Sequence, residues 1–164
     1  MRGIKSAFEF ESYKIDSLHL EMKRVLGVLE FRGNIDQKTL LLDISFREPL
    51  YIKRQKKYVG GLVIKLTVAP PVKNGQGDQP KEENIILRID LSISGLFRTE
   101  QGQFDPKTEQ NLVTQQIPAI LFPYVRATLS SLLANAGFGS VVLPLINIHE
   151  VAKKAKLEIK EVDW

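Results

Sequence analysis

Residues 117–138 read Ile-Pro-Ala-Ile-Leu-Phe-Pro-Tyr-Val-Arg-Ala-Thr-Leu-Ser-Ser-Leu-Leu-Ala-Asn-Ala-Gly-Phe, an apolar stretch whose one charged side chain is Arg126. The spacing predicts a helix from about Ile117 to Ala136, and Gly137 is a natural residue to end it. A surface helix in a small domain usually keeps a charged face toward water. Because this helix has none, we expect it to be covered on two sides, by its own sheet and by another partner.

The depletion of charge extends beyond this helix. The forty residues from 110 to 149 hold a single charged side chain, although charged residues make up 26% of the chain. Polar residues such as Gln115, Arg126 and Asn135 interrupt the stretch, so that no run approaches the ~18 apolar residues of a membrane span. We therefore expect no membrane insertion. After the apolar stretch, a second helix is expected to begin near Asn147 or His149.

The first two thirds of the chain alternate between apolar and polar residues, as half-buried strands do. A polar loop rich in Pro and Gly is expected between two of these strands, at residues 69–83. Strands first and helices last predict an α+β fold, with a four-stranded antiparallel sheet and two C-terminal helices on one face. Residues 1–164 are expected to form a single domain. The residues of the predicted inward faces are Phe8, Phe10, Leu18, Leu20, Met22, Leu40, Leu42, Ile44, Phe46, Leu62, Ile64, Leu66, Val68, Ile85, Leu87, Ile89, Leu91 and Ile93.

Composition narrows the classes of function. The chain contains no cysteine, which excludes a disulfide framework and favours a cytoplasmic location. The formal net charge is +4, and the densest basic cluster consists of Lys53, Arg54, Lys56 and Lys57. This cluster is either a solvated turn or a contact for an acidic partner. Nucleic acid is not expected as a partner, because no basic and aromatic residues interleave along a face.

No catalytic motif is found. Glycine-rich phosphate loops and strained serine nucleophiles are missing from the sequence. The two histidines, His19 and His149, are more typical of structural or exposed positions than of an active site. A pocket beneath Tyr124 and Arg126 is the one enzymatic alternative. We therefore predict a protein that is not an enzyme and that has no catalytic residues, metal or cofactor.

Two motifs resemble a known family. Leu121-Phe122-Pro123-Tyr124-Val125-Arg126 is followed by Leu132-Leu133-Ala134-Asn135-Ala136-Gly137-Phe138, and then by an apolar connector with Pro144 and Asn147. Ile93-Ser94-Gly95-Leu96-Phe97 ends the strand region. Together they resemble the export chaperone SecB over about thirty residues, whereas the strand region is similar only in its pattern.

The resemblance implies a chaperone that assembles as a dimer of dimers and holds unfolded polypeptides in hydrophobic grooves. The long helix then belongs to subunit assembly, and the connector is expected to hold clients. The implied homo-oligomer interface consists of Leu121, Phe122, Val125, Leu129 and Leu132. The implied client-binding residues are Phe97, Phe138, Val142, Leu143, Leu145 and Ile146.

The chain also departs from the family. SecB is acidic and docks the motor SecA through an acidic sheet surface, whereas this chain is basic. Docking to SecA is therefore doubtful, and a SecB-like relative with another client, such as a chaperone attached to a toxin-antitoxin system, fits as well.

Two hypotheses follow. The first is a SecB-like chaperone that binds unfolded or nascent polypeptides without ATP, as a dimer or a tetramer. The alternative is an oligomeric scaffold or dedicated partner-binding protein that uses the basic loop 53–57.

Overall fold

Five strands form one sheet in the computed structural model, which describes residues 8–24, 40–70, 80–100, 104–139 and 141–164. The strand order is β1-β4-β3-β2-β5. Neighbours are antiparallel, except that β5 runs parallel to β2. The strands are β1 Phe8–Met22, β2 Leu40–Ile52, β3 Lys57–Val68, β4 Leu87–Thr99 and β5 Lys160–Val162. The α+β class is confirmed, and the predicted count of four strands is corrected by the short β5.

The helices follow the four long strands. They are α1 Pro106–Asn111, α2 Ile117–Leu133 and α3 Ile148–Ala155. A wide helical turn joins α1 to α2, and a second one follows α2 and contains Gly137 at φ 95°. Helical residues thus run from Pro106 to Phe138. By length and composition alone, this helical segment could cross a membrane. In this fold the apolar side of α2 packs on the sheet.

Part of the predicted organisation lies outside the described residues. The loop predicted at 69–83 has its central residues, 71–79, in one of these gaps. A short 3₁₀ turn, Glu82–Asn84, leads from its end toward β4. The single domain over residues 1–164 therefore stays a prediction.

One face of the sheet is buried under the helices, as the alternation predicts. Residues of β3 and β4 that point to this face are almost fully buried, and α2 contributes the other half of the core. The opposite face carries the polar residues. The core residues with no exposed surface at all are Leu62, Ile64, Leu66, Val68, Leu87, Ile89, Ile93, Phe97, Leu121, Val125, Leu129 and Leu133.

A pair of glycines lets α2 approach the sheet closely. Gly60 of β3 and Gly95 of β4 lie directly opposite each other in the ladder. A Cβ atom on Gly60 would lie 2.5 Å from the Ile117 side chain, and one on Gly95 would lie 2.7 Å from that of Leu121. Since Ile117 and Leu121 are one helical turn apart, the first turns of α2 rest on this glycine pair.

Two β-bulges change which residues of β1 face the helices. The register advances by one extra residue in β1 between Phe10 and Ser12, and again between Ile15 and Ser17. Each bulge shifts the alternation by one position. Tyr13 and Ile15 therefore join Phe10 on the helix-side face.

Hydrogen bonds attach α1 to the end of the sheet. The buried Tyr58 hydroxyl donates to Glu109 Oε1 at 2.7 Å, and the Thr99 hydroxyl donates to the same oxygen at 3.1 Å. Burial, together with this hydrogen bond and the charge of Glu109, raises the pKa of Tyr58 well above its ordinary value of 10.0. The tyrosine is therefore held in its neutral, donating form.

We expect Gly60→Val to lower the free energy of unfolding by about 2 kcal/mol, because the added methyl groups collide with Ile117 in a packed core. Urea unfolding followed by circular dichroism measures this change. Ser92→Ala, on the polar face of β4, is the control and should change stability by less than about 0.5 kcal/mol. A Gly60→Val variant as stable as the parent would contradict the close approach of α2.

Tyr58 should make the fold sensitive to alkali. Above pH 10 the unfolded chain loses the Tyr58 proton while the folded chain keeps it, so the free energy of unfolding falls by up to about 1.4 kcal/mol per pH unit from this group. Below pH 10 its contribution is fully present. Unfolding of the parent and of Tyr58→Phe between pH 8 and pH 11 should show about this difference in slope. Parallel curves would rule out the proposed protonation.

Candidate functional site

The connector between α2 and α3 presents apolar side chains to solvent. Val141 and Leu143 point inward and are buried, whereas Val142 and Leu145 are 70% and 88% exposed. Ile146 is half-buried and packs against the edge of the core. Water contact with large apolar side chains is unfavourable, so this exposure marks a surface that gains free energy when it is covered.

Both ends of the connector are anchored. Phe138 is 5% exposed and belongs to the core. At the other end, the side-chain Oδ1 of Asn147 accepts a hydrogen bond from the backbone N–H of Glu150 at 3.4 Å and caps α3. The exposed residues between these ends are therefore held in place by the fold.

The six predicted client-binding residues divide into two groups. Phe97, Phe138 and Leu143 are buried within the chain and can only shape the surface from beneath. The other three reach the surface, and the name connector site is used below for Val142, Leu145 and Ile146. Their role in binding stays a prediction.

A second apolar surface lies along β1. Its helix-side residues form a line, called the β1 stripe: Phe8, Phe10, Tyr13, Ile15, Leu18, Leu20 and Met22. Tyr13, Ile15 and Leu18 are each more than 40% exposed, and Leu20 is 37% exposed. The stripe lies at the edge of the sheet, beyond the strands that α2 covers.

Aromatic contacts join this stripe to α2. The rings of Phe8 and Phe10 lie 5.4 and 5.2 Å from that of Phe97. The Tyr124 ring is 5.4 Å from Phe10 and 4.4 Å from Tyr13. Aromatic pairs at such distances contribute about 0.5–1.5 kcal/mol each beyond their buried area. The cluster therefore fixes the exposed Tyr13 against the long helix.

The predicted interface residues of α2 lie mostly inside their own chain. Leu121, Phe122, Val125 and Leu129 are all buried in the core of their own chain, and Leu132 is half-buried. Their contact with a second subunit stays a prediction. The exposed side of α2 consists of small or uncharged residues: Pro123, Ala127, Ser130 and Ser131.

The basic cluster lies in the turn between β2 and β3, where Lys56 has a positive φ of 55°. Lys53 Nζ lies 3.0 Å from Glu161 and 3.9 Å from Asp163, and hydrogen bonding to Glu161 raises the pKa of Lys53. Lys57 Nζ lies 2.7 Å from Glu11. Two of the four predicted contact residues are thus paired within the chain. Within the described ranges, Arg54 is in no ion pair.

The described residues show no group of three His, Asp or Glu side chains that could hold a metal ion. His19 is exposed on the polar face of β1, with Nε2 3.7 Å from Glu21. Two apolar surfaces, the connector site and the β1 stripe, are thus exposed on an α+β scaffold whose helices cover one face of the sheet. This architecture defines a class of α+β proteins that expose apolar side chains to solvent.

The family is shown by comparison. Residues 41–158 match the family model described as "Preprotein translocase subunit SecB". Because this match covers more than half of the chain, the chain belongs to the SecB family, and the resemblance of the α2 motifs is confirmed.

Two curated relatives carry the name protein-export protein SecB. The one from Saccharophagus degradans is 35% identical over 99 residues, which is 60% of this chain and 53% of the relative. The one from Alkalilimnicola ehrlichii is 28% identical over 102 residues, 62% of this chain and 50% of the relative. The chain thus spans about half the length of the curated relatives it matches.

A solved structure shares the fold. It is the Rv1957 SecB-like chaperone of Mycobacterium tuberculosis, in complex with a ChAD peptide from the HigA1 antitoxin. The TM-score is 0.57 at 12% sequence identity, over 85% of this chain and 91% of the other. At this identity the likeness establishes the fold alone.

Proposed function

We propose that this protein is a cytoplasmic chaperone that holds unfolded or nascent polypeptides on the connector site without ATP. The observation that carries the proposal is the exposure of Val142 and Leu145 on an anchored segment. Covering apolar surface stabilises a complex by about 25 cal/mol per Å² with little preference for sequence. Membership of the SecB family supports this reading over an enzymatic one.

We further propose that a second copy of the chain covers the β1 stripe. Four large side chains on one face of an edge strand form a contiguous exposed apolar surface, which is typical of a contact with another chain. The outward side of α2 supports the same contact, because its exposed residues are small or uncharged. The stripe and this side of α2 would thus form the homo-oligomer interface, with Leu132 at its margin.

A dedicated partner is the alternative, since the SecB-like chaperone from Mycobacterium tuberculosis was solved with an antitoxin peptide. Such a partner would be a single acidic protein that contacts the basic turn through Arg54. Ion pairs within the chain already engage Lys53 and Lys57. The basic turn therefore offers an acidic partner fewer unpaired cations than the sequence suggests. For this reason we favour the general chaperone.

Replacing Leu145 with Asp should abolish most of the holding activity. Loss of one buried leucine contact costs about 1.5–3 kcal/mol, so the protein concentration for half-suppression of aggregation should rise about tenfold or more. Light scattering of a chemically unfolded client, without nucleotide, measures this. His149→Asp adds a negative charge at an exposed position nearby and should leave the activity unchanged. Equal activity in parent and Leu145→Asp would refute the connector site.

Oligomerisation is tested on the β1 stripe. The double variant Ile15→Asp and Leu18→Asp should shift the protein to monomers, because burying two carboxylates in an apolar contact is strongly unfavourable. Sedimentation velocity measures the molecular mass. Ser17→Asp, on the opposite face of the same strand, should keep the parental mass. A parent that is already monomeric at micromolar concentration would overturn the proposal.

A further inference from the structure

A cleft of about 360 Å³ lies between two parts of the helical region. One side is α1 with the turn that joins it to α2, and the other side is α3. Lys107 reaches it from α1, and Lys153 and Lys156 reach it from α3 and its end. Between them the side chains of Gln110, Asn111 and Gln115 line the wall. The cleft is separate from the residues of the connector site.

Among the described residues, the lysines of this cleft are in no ion pair. Among the residues that the structure describes, no carboxylate lines the cleft. Its three lysines take part in none of the ion pairs there, although basic residues of the sheet such as Arg47 and Arg98 do. The sequence explains one wall, because residues 110–149 contain no Asp or Glu. Three ammonium groups around one cavity repel each other, and an anion relieves this repulsion.

Helix stability accounts for only part of this arrangement. Lys153 and Lys154 lie in the last turn of α3, where a cation interacts favourably with the helix dipole. Lys107 instead lies in the first turn of α1, where a cation is unfavourable. Lys156 adopts a left-handed conformation, φ 48° and ψ 53°, as the residue that ends a helix commonly does. Binding of an anion gives Lys107 a role that helix stability does not supply.

The lining favours carboxylates of a polypeptide over a nucleic acid. It contains neither arginine, the residue best suited to bidentate phosphate contacts, nor an aromatic ring on which a base could stack. Amide groups of Gln110, Asn111 and Gln115 can donate to carboxylates and also pair with a peptide backbone. We propose that this cleft binds a short acidic segment of a polypeptide. The choice of a polypeptide rests on the proposed function, whereas the preference for an anion does not.

The test uses the full chain and a fluorescent peptide of alternating Glu and Ser, with anisotropy as the readout at low ionic strength. Lys153→Glu should weaken binding by about three- to tenfold, because an attraction is replaced by a repulsion of similar size. The matched control is Lys154→Glu, which makes the same charge change on the same helix but does not line the cleft. It should weaken binding by less than about twofold.

Each outcome decides the proposal. Equal weakening by Lys153→Glu and Lys154→Glu would show that the peptide is attracted only to the net charge of the protein. Absence of peptide binding by the parent would reject the cleft as a site. Either result overturns the proposal. If single-stranded DNA or inorganic phosphate binds more tightly than the peptide, and Lys153→Glu loses this binding, the ligand of the cleft is a phosphate. That result overturns the proposal of an acidic peptide. Holding of an uncharged unfolded client should persist in Lys153→Glu. Loss of holding in Leu145→Asp with intact peptide binding separates the two sites.

Discussion

The fold depends on the contact between the first turns of α2 and a pair of adjacent glycines. Gly60 and Gly95 face each other across β3 and β4, directly under Ile117 and Leu121. The absence of Cβ atoms there lets the helix lie close to the central strands, and dispersion contacts gain most at such short separations. The position of α2 over β3 and β4 in turn determines which apolar surface of the sheet is covered and which is left.

One central helix cannot cover a sheet of this width. Strands are about 4.8 Å apart, so a helix about 10 Å across covers roughly two of them. The helix-side residues of β1 therefore stay at the margin, where Tyr13 still contacts Tyr124 but Ile15 and Leu18 remain more than 40% exposed. The exposure of the β1 stripe thus follows from the limited width of α2. The connector site is exposed for a different reason, because a short segment must return from the end of α2 to α3.

The sequence predicts the fold class and the buried face of β3 and β4 because strict alternation leaves one face apolar. The sequence does not predict β5, because a strand of three residues is too short to show an alternation of apolar and polar side chains. The bulges in β1 were missed, although the spacing of three from Phe10 to Tyr13 and from Ile15 to Leu18 is a signal for them. Burial of Phe97 and Leu143 could not be foreseen, because an apolar residue looks alike in sequence whether it forms the core or a groove.

The charges on the open face of the sheet are arranged with opposite signs next to each other, although the chain as a whole is basic. Along one row of the open face, Asp43, Lys65, Asp90 and His19 lie side by side on four strands. Opposite charges directly across a ladder attract, so the acids of this face are matched by neighbouring bases. The face is then not uniformly acidic, and the three lysines between α1 and α3 are in no ion pair within the described ranges. The two proposed modes of recognition, by charge and by apolar contact, therefore use separate surfaces.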